Sequence, residues 1–140
     1  MHQHYAFCRA IAMPDFEGLK KLWLEAGGMV DDAVTAAAIG MAESGGKASA
    51  INKGNRDGSW DVGLWQINTI HQGAFGLPKI KDFKHPDQDE VGSKAFVDYL
   101  NAPLNNAKTA VSIKNSQGFK AWAAYNNGTY KQFLPKPAKK

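Results

Sequence analysis

The chain is organised around residues 30 to 68, which read VDDAVTAAAIGMAESGGKASAINKGNRDGSWDVGLWQIN. The first part of this segment is apolar at nearly every position, up to a pair of glycines, Gly45 and Gly46, that is typical of a helix end. A helix that is apolar on all sides is predicted to be buried all round. We therefore predict a buried helix that ends at Ser44 and carries Glu43 in its last turn.

Glu43 is a candidate general acid because of its position in this helix. Unpaired carbonyl groups give the C-terminal end of a helix partial negative charge, and apolar neighbours disfavour the ionised form of a carboxyl group. Both effects are expected to raise the pKa of Glu43. A carboxylic acid that keeps its proton near neutral pH can donate it to a substrate. The alternative interpretation is a surface glutamate beside a helix cap.

A second carboxylate, Asp61, follows a turn sequence. The pair Asp57 and Gly58 is typical of a tight two-residue hairpin turn, because both residue types tolerate a positive φ. We predict a small β-hairpin with Asp61 on its second strand, folded back so that Asp61 approaches Glu43. Two carboxyl groups in unlike surroundings serve glycoside hydrolysis, in which one protonates the leaving oxygen and the other stabilises or attacks the sugar cation.

Several short motifs occur in order along the chain: Glu43-Ser44, Ala50, Asn52, Asp57-Gly58-Ser59, Asp61, Gly63 and Gln66-Ile67-Asn68. This set resembles the active-site helix and hairpin of the lysozyme superfamily, in particular of animal c-type lysozymes, with one extra residue in the hairpin. Residues 63–67 (GLWQI) and 124–128 (AYNNG) resemble motifs of goose-type lysozymes and soluble lytic transglycosylases. The combination is most similar to lysozyme-like domains of bacteriophages, over roughly residues 15 to 134.

The resemblance implies a fold of the α+β class, mainly α, with a small β-hairpin beside the active-site helix. It implies a muramidase, a glycoside hydrolase that cleaves the β-1,4 bond between N-acetylmuramic acid and N-acetylglucosamine in peptidoglycan. Glu43 would be the general acid, and Asp61 the nucleophile or the stabiliser of the oxocarbenium ion. The residues expected to bind sugar or to orient the carboxylates are Ser44, Asn52, Gln66, Asn68 and Tyr125. No cofactor and no metal ion are implied.

Two alternatives to a muramidase stay open. In a lytic transglycosylase a single glutamate acts first as acid and then as base, and the 6-hydroxyl of the muramic acid closes a 1,6-anhydro ring. The other alternative is an inactive glycan-binding or structural module. The presence of both Glu43 and Asp61 favours an active hydrolase over either alternative.

Length and composition predict one self-sufficient catalytic domain. Animal c-type lysozymes carry disulfides, whereas Cys8 is the single cysteine of this chain and can form no internal bridge. A chain of 140 residues with 44% hydrophobic content can bury roughly two thirds of the surface that its unfolded form exposes. We expect an N-terminal extension at 1–14, the lysozyme-like domain at 15–134, and a tail or linker at 135–140. The isolated domain is expected to be a monomer.

Charge and hydropathy narrow the range of partners. A net charge of +4 and a pI of about 9.2 favour polyanions, and bacterial cell walls are often anionic. Nucleic acid is disfavoured because the lysines are scattered, only two arginines are present and no nucleic-acid motif occurs. We expect no membrane insertion, because no apolar run is long enough, and residues 1–13 lack the features of a signal peptide. Together with these observations, the resemblance to bacteriophage domains implies a phage virion component, or an endolysin released through a holin, that acts at the bacterial cell wall.

Residues outside the main segment are expected to be structural. Helical spacing of apolar residues predicts a helix from Asp15 to the glycines at 27–28, one from Pro86 to about residue 101, one from Leu104 to near Gly118, and a short one within 119–128. The alternation of Trp60, Val62 and Leu64 with Asp61, Gly63 and Trp65 predicts a strand with one apolar face and one face carrying Asp61.

Several single residues admit two interpretations. Trp65 either stacks on a sugar or fills the core, and His71 is expected to be a solvated loop histidine rather than a catalytic one. His2, His4 and Cys8 are interpreted as a terminal tail and not as a metal site. An EF-hand calcium loop is rejected, because Lys53 and Leu64 would occupy ligand positions.

Overall fold

A computed structural model describes residues 13 to 136 of the chain. The hypotheses on His2, His4 and Cys8 and on the end of the tail lie outside the described residues. In the described part the helices are α1 (Phe16–Glu25), α2 (Val30–Ser44), α3 (Glu90–Asn101), α4 (Pro103–Gln117) and α5 (Ala123–Asn126), and the strands are β1 (Ile51–Asn52), β2 (Asp61–Val62) and β3 (Ile67–Asn68). Short 3-10 helices occupy Thr69–His71, Pro86–Gln88, Phe119–Ala121 and Thr129–Phe133. This confirms the predicted fold class, α+β and mainly α.

Helix α2 runs through the centre of the molecule, and its C-terminal end is as predicted. Gly45 adopts a left-handed conformation (φ 65°) and donates its N–H to the Met41 carbonyl oxygen at 2.8 Å, which ends the helix after Ser44. The middle of the helix is buried, from Ala36 to Gly40. The prediction of burial all round is wrong for the first turn, where Val30 is 76% exposed. That turn emerges at the surface, and Asp32 there forms an ion pair with Lys114 of α4 at 2.6 Å.

The hydrophobic core lies where α1, α2 and α4 meet. Helix α1 begins at Asp15, whose side chain accepts the N–H of Gly18, and it buries Leu19 and Trp23 against α2. Gly40 allows a close approach there, since a Cβ at this position would lie 3.0 Å from Leu19 Cδ1 and 3.2 Å from Trp65. The predicted first helix and its position in the core are confirmed.

The sheet has three antiparallel strands in the order β1-β2-β3. The predicted pairing around Asp61 is confirmed, with Asn52 opposite Asp61, but the predicted two-residue turn is wrong because residues 53–60 form a longer loop between β1 and β2. The Asp57-Gly58 turn lies inside this loop, where Gly58 donates its N–H to the Asn55 carbonyl oxygen. Strand β3, which the sequence analysis did not predict, places Asn68 opposite Asp61.

The alternating strand predicted over residues 60–65 is also wrong. Strand β2 ends at Val62, and the next four residues turn, with the Gln66 N–H donating to the Gly63 carbonyl oxygen at 3.0 Å. Leu64 and Trp65 are therefore both buried, instead of pointing to opposite faces of a strand. Because a tight turn abandons the two-residue period, alternation in the sequence could not reveal the direction of these side chains.

A buried asparagine holds this turn against the helices. Asn106 of α4 accepts the Trp65 N–H at 2.8 Å and donates to the carbonyl oxygens of Val62 and Leu100 at 2.9 and 3.0 Å. Its side chain is fully buried, so each of these bonds satisfies a backbone group that water does not reach. Asn106 thereby couples the sheet to α3 and α4.

The remaining helices complete the core around the sheet and the turn that follows β2. The prediction that α3 begins at Pro86 is wrong, since Pro86 starts a 3-10 turn and α3 begins at Glu90, where the Asp89 side chain accepts the Gly92 N–H. Helix α4 ends at Gly118, as predicted. The Trp122 indole N–H donates to the Trp65 carbonyl oxygen at 2.8 Å, which seats α5 beside the sheet. Within residues 13–136 no helix has both the length and the apolar character needed to cross a bilayer.

Candidate active site

A cavity of about 210 Å³ lies between the C-terminal end of α2, the sheet and the segment that leads into α5. Both candidate carboxylates contribute to its walls. The lining residues are Glu43, Asp61, Gln66, Ile67, Asn68, His71, Ile113, Ala121, Trp122 and Ala123. We call this cavity the carboxylate groove. The fold thus brings Glu43 and Asp61 together in one groove.

Glu43 lies at the end of α2 in a partly desolvated environment. Its side chain is half-buried, and its Oε2 accepts the Ala124 N–H at 3.2 Å. Burial raises the pKa of Glu43 above its ordinary value, and the negative charge of Asp61 raises it further, while the Ala124 N–H acts in the opposite direction. The net shift is upward, which favours a protonated carboxylic acid.

Asp61 is surrounded by amide donors. Its Oδ1 accepts a hydrogen bond from Asn68 Nδ2 at 2.8 Å, and its Oδ2 accepts from Asn55 Nδ2 at 2.9 Å and from Asn52 Nδ2 at 3.2 Å. These bonds orient the carboxylate in the groove and provide a polar environment, in contrast to that of Glu43. The buried Ser59 hydroxyl accepts from Asn68 at 3.0 Å and donates to Asp57 at 2.6 Å, which braces the network from behind.

Residues 20–124 match a protein family described as "Lysozyme like domain". This chain belongs to the lysozyme-like domain family. The match confirms the resemblance drawn from the motifs, and it indicates a peptidoglycan-related activity of the glycosidase or transglycosylase type. A comparison with curated proteins gave no match.

Only some of the five predicted sugar-binding residues lie at the carboxylate groove. Gln66 and Asn68 line the groove, and Asn52 reaches it through its bond to Asp61. Ser44 does not line the groove; its hydroxyl donates to the Gly40 carbonyl oxygen and accepts the Gly46 N–H, so it closes the end of α2. Tyr125 is 37% exposed and stacks on Tyr130, with ring centroids 5.1 Å apart, outside the groove lining.

Asn55 and Trp122 belong to the site but were not assigned to it from sequence. Asn55 donates to Asp61, and Trp122 lines the groove beside α5. A sequence signal existed for Asn55, because it follows Asn52 by three residues, in the loop that begins directly after β1. Trp122 lies within the region of the resemblance but was given no role in the site, because its position depends on the docking of the C-terminal segment onto Trp65.

His71 was predicted to be a solvated loop residue, and this prediction is wrong. It lies in a 3-10 helix after β3, lines the groove, and packs edge-on against Phe75 with ring centroids 5.8 Å apart. Burial lowers the pKa of the imidazole, which favours its neutral form. A neutral imidazole offers one donor and one acceptor to a sugar hydroxyl or acetamido group.

Trp65 belongs to the core. It is 1% exposed, and its indole N–H donates to the Ala36 carbonyl oxygen at 2.9 Å. Of the two interpretations left open by the sequence, core packing is therefore correct. As for metal ions, no three His, Cys, Asp or Glu residues in the described range 13–136 are grouped so that they could bind one together.

Proposed function

We propose that this domain is a muramidase that hydrolyses the β-1,4 bond between N-acetylmuramic acid and N-acetylglucosamine in peptidoglycan. The observation that carries the proposal is the sharing of one groove by two carboxyl groups in unlike environments. Glu43 is half-buried with a raised pKa, and Asp61 is held by three amide donors. Such a pair divides the roles of glycoside hydrolysis between an acid and an anion.

Glu43 is the general acid of this mechanism. Its raised pKa keeps the carboxyl group protonated closer to neutral pH, so that it can donate a proton to the glycosidic oxygen as the bond breaks. The Ala124 N–H then stabilises the carboxylate that remains.

Asp61 is the nucleophile or the stabiliser of the oxocarbenium ion. Its three amide donors fix the direction of the carboxylate without neutralising its charge. Of the residues proposed to bind sugar, Gln66 and Asn68 have the strongest support, because both line the groove. Asn52 is proposed to act through Asp61. We propose that Ser44 and Tyr125 contact the glycan strand outside the carboxylate groove.

A lytic transglycosylase is the alternative activity. It needs no anion at the anomeric carbon, because the neighbouring 6-hydroxyl of the muramic acid is already held at high effective concentration. The amide network around Asp61 favours hydrolysis, since it orients a carboxylate that the alternative does not require.

Product analysis separates the two activities. Purified peptidoglycan is digested with the protein, and the released muropeptides are analysed by mass spectrometry. A muramidase yields reducing ends, and Asp61→Asn removes most activity, whereas Asp87→Asn, an exposed change outside the groove, does not. Chiefly 1,6-anhydro products, lighter by one water, together with an active Asp61→Asn variant would establish the transglycosylase instead.

We further infer that residues 15–134 form the catalytic domain, that it acts as a monomer at the bacterial cell wall, and that it belongs to a phage virion component or to an endolysin. The family match at 20–124 lies within these limits. Sedimentation velocity measures the oligomeric state, and a dimer at low micromolar concentration would contradict the inference.

A further inference from the structure

The two ends of the chain differ sharply in charge. All 13 acidic residues occur at or before Asp98, whereas the rest of the chain contains seven lysines and no acidic residue. The carboxylate groove is lined from both parts, because Glu43 and Asp61 come from the acidic part and residues 113 and 121–123 from the cationic part. The two candidate carboxyl groups thus line one part of the groove, and its other part is lined by uncharged residues from the lysine-bearing end of the chain.

A second cavity adjoins the groove on its cationic side. It measures about 500 Å³ and is lined by Ser116, Gln117, Lys120 and Ala121, of which Ala121 also lines the carboxylate groove. We call it the Lys120 pocket. Three of its four lining residues, Ser116, Gln117 and Lys120, are polar and exposed. The two linings share Ala121, so the pocket lies directly beside the groove.

Lys120 is the cation of this pocket, and its charge is available. Lys114, near the end of α4, forms an ion pair with Asp32 at 2.6 Å. For Lys120, in contrast, no carboxylate among the described residues lies within ion-pair distance. The backbone at Lys120 is held in place, because its carbonyl oxygen accepts a hydrogen bond from Asn126 Nδ2 at 2.8 Å. The pocket therefore presents a positive charge beside the groove that no carboxylate of the described residues neutralises.

We propose that the Lys120 pocket binds the peptide stem of peptidoglycan through a stem carboxylate. This proposal rests on the proposed function, since it assigns a binding site for a second part of the same substrate. The glycan backbone carries no charge, whereas the stem is attached to the muramic acid beside the cleaved bond and carries free carboxylates and amide groups. Lys120 pairs with a carboxylate, and Ser116 and Gln117 bond the stem amides. A phosphate-rich wall polymer carries similar charge, but the stem is attached to the muramic acid whose bond is cleaved, which gives it a high effective concentration at the pocket.

Binding to insoluble peptidoglycan tests this without cleavage. In a Glu43→Gln background, Lys120→Gln is expected to raise the Kd for peptidoglycan freed of teichoic acid by about two- to fivefold, as for an exposed ion pair. Lys108→Gln is the matched control, because it removes the same charge from an exposed position on α4 that lines neither cavity. Conversion of the stem carboxylates to amides is expected to remove the difference between the Lys120 and Lys108 variants.

Kinetics on two substrates complete the test. The preference of the active protein for stem-bearing peptidoglycan over strands stripped by an amidase is expected to fall about two- to fivefold in Lys120→Gln and to persist in Lys108→Gln. Equal effects of the two variants, or a Lys120 effect that survives amidation, overturn the proposal. An effect seen only when teichoic acid is left in place overturns it as well and assigns the pocket to phosphate. If the wild type releases no muropeptides, the muramidase proposal fails, and the measured binding to insoluble peptidoglycan still decides on the pocket.

Discussion

The Ala124 N–H donates to Glu43 Oε2 at 3.2 Å and joins two residues that are 81 positions apart in the chain. This bond favours the carboxylate, whereas burial and the charge of Asp61 favour the protonated acid, and the latter two effects prevail. The protonation of Glu43 is thus set by its burial at the end of α2, by Asp61 of β2 and by the Ala124 N–H of α5.

Asp61→Asn is expected to lower the pKa of Glu43, because it removes the negative charge that helps to raise it. Carbon-13 NMR titration of the carboxyl groups of the four glutamates measures this directly, and Glu43→Gln identifies the resonance. Asp87→Asn should leave the titration of Glu43 in place. An unchanged midpoint in Asp61→Asn would show that the two carboxylates do not interact.

Glu43→Gln is expected to reduce peptidoglycan cleavage by about a hundredfold or more, since the amide keeps the shape of the side chain but cannot donate the proton. Loss of turbidity of a peptidoglycan suspension measures the rate. Glu25→Gln, on the exposed face of α1, provides the control. Clearing at the wild-type rate by Glu43→Gln would remove Glu43 from the mechanism, provided that circular dichroism shows both variants folded.

Glu43→Gln is also expected to stabilise the protein at neutral pH. The folded-state pKa of Glu43 is raised above 4.5, so the stability associated with its proton is fully present below about pH 4.5 and is lost as pH rises through the raised pKa. Glutamine at this position does not ionise and avoids that loss. Thermal unfolding should therefore give a higher Tm for the variant at pH 7, with the gain shrinking toward pH 4. A constant difference across this range would show that ionisation of Glu43 is not its cause.

Gly63→Ala is expected to destabilise the fold by about 2 kcal/mol or more. Gly63 has a positive φ of 81°, and a Cβ there would overlap the Asn106 amide and lie 2.6 Å from the Leu100 carbonyl oxygen. Gly54→Ala in the neighbouring loop is the control, because the nearest atom to its Cβ is Asn52 Oδ1 at 3.4 Å, and its effect should stay below about 1 kcal/mol. Urea unfolding measures both, and equal stabilities would contradict the tight seating of this turn.

Features that depend on neighbours in the chain could be predicted from sequence. The end of α2 follows from the two glycines after Ser44, because Gly45 accepts the left-handed conformation that closes the helix at little cost. The pairing that presents Asp61 follows from the loop composition around Gly58, although the length of that loop does not. The family resemblance rested on these same local motifs, and the match over residues 20–124 confirms it.

The arrangement of the groove depends on contacts between distant residues, and only the tertiary structure could reveal it. Asn106 bonds to Val62 and Trp65 across 44 and 41 positions, and no local pattern marks a single buried asparagine as the residue that holds a turn. His71 lies in the groove because β3 pairs with β2. Strands of two residues are too short for an alternating pattern to reveal this pairing in the sequence. Local propensity therefore determined the helices and the candidate acid, whereas the environment that raises the pKa of that acid was decided by the packing of α5 and the sheet around the end of α2.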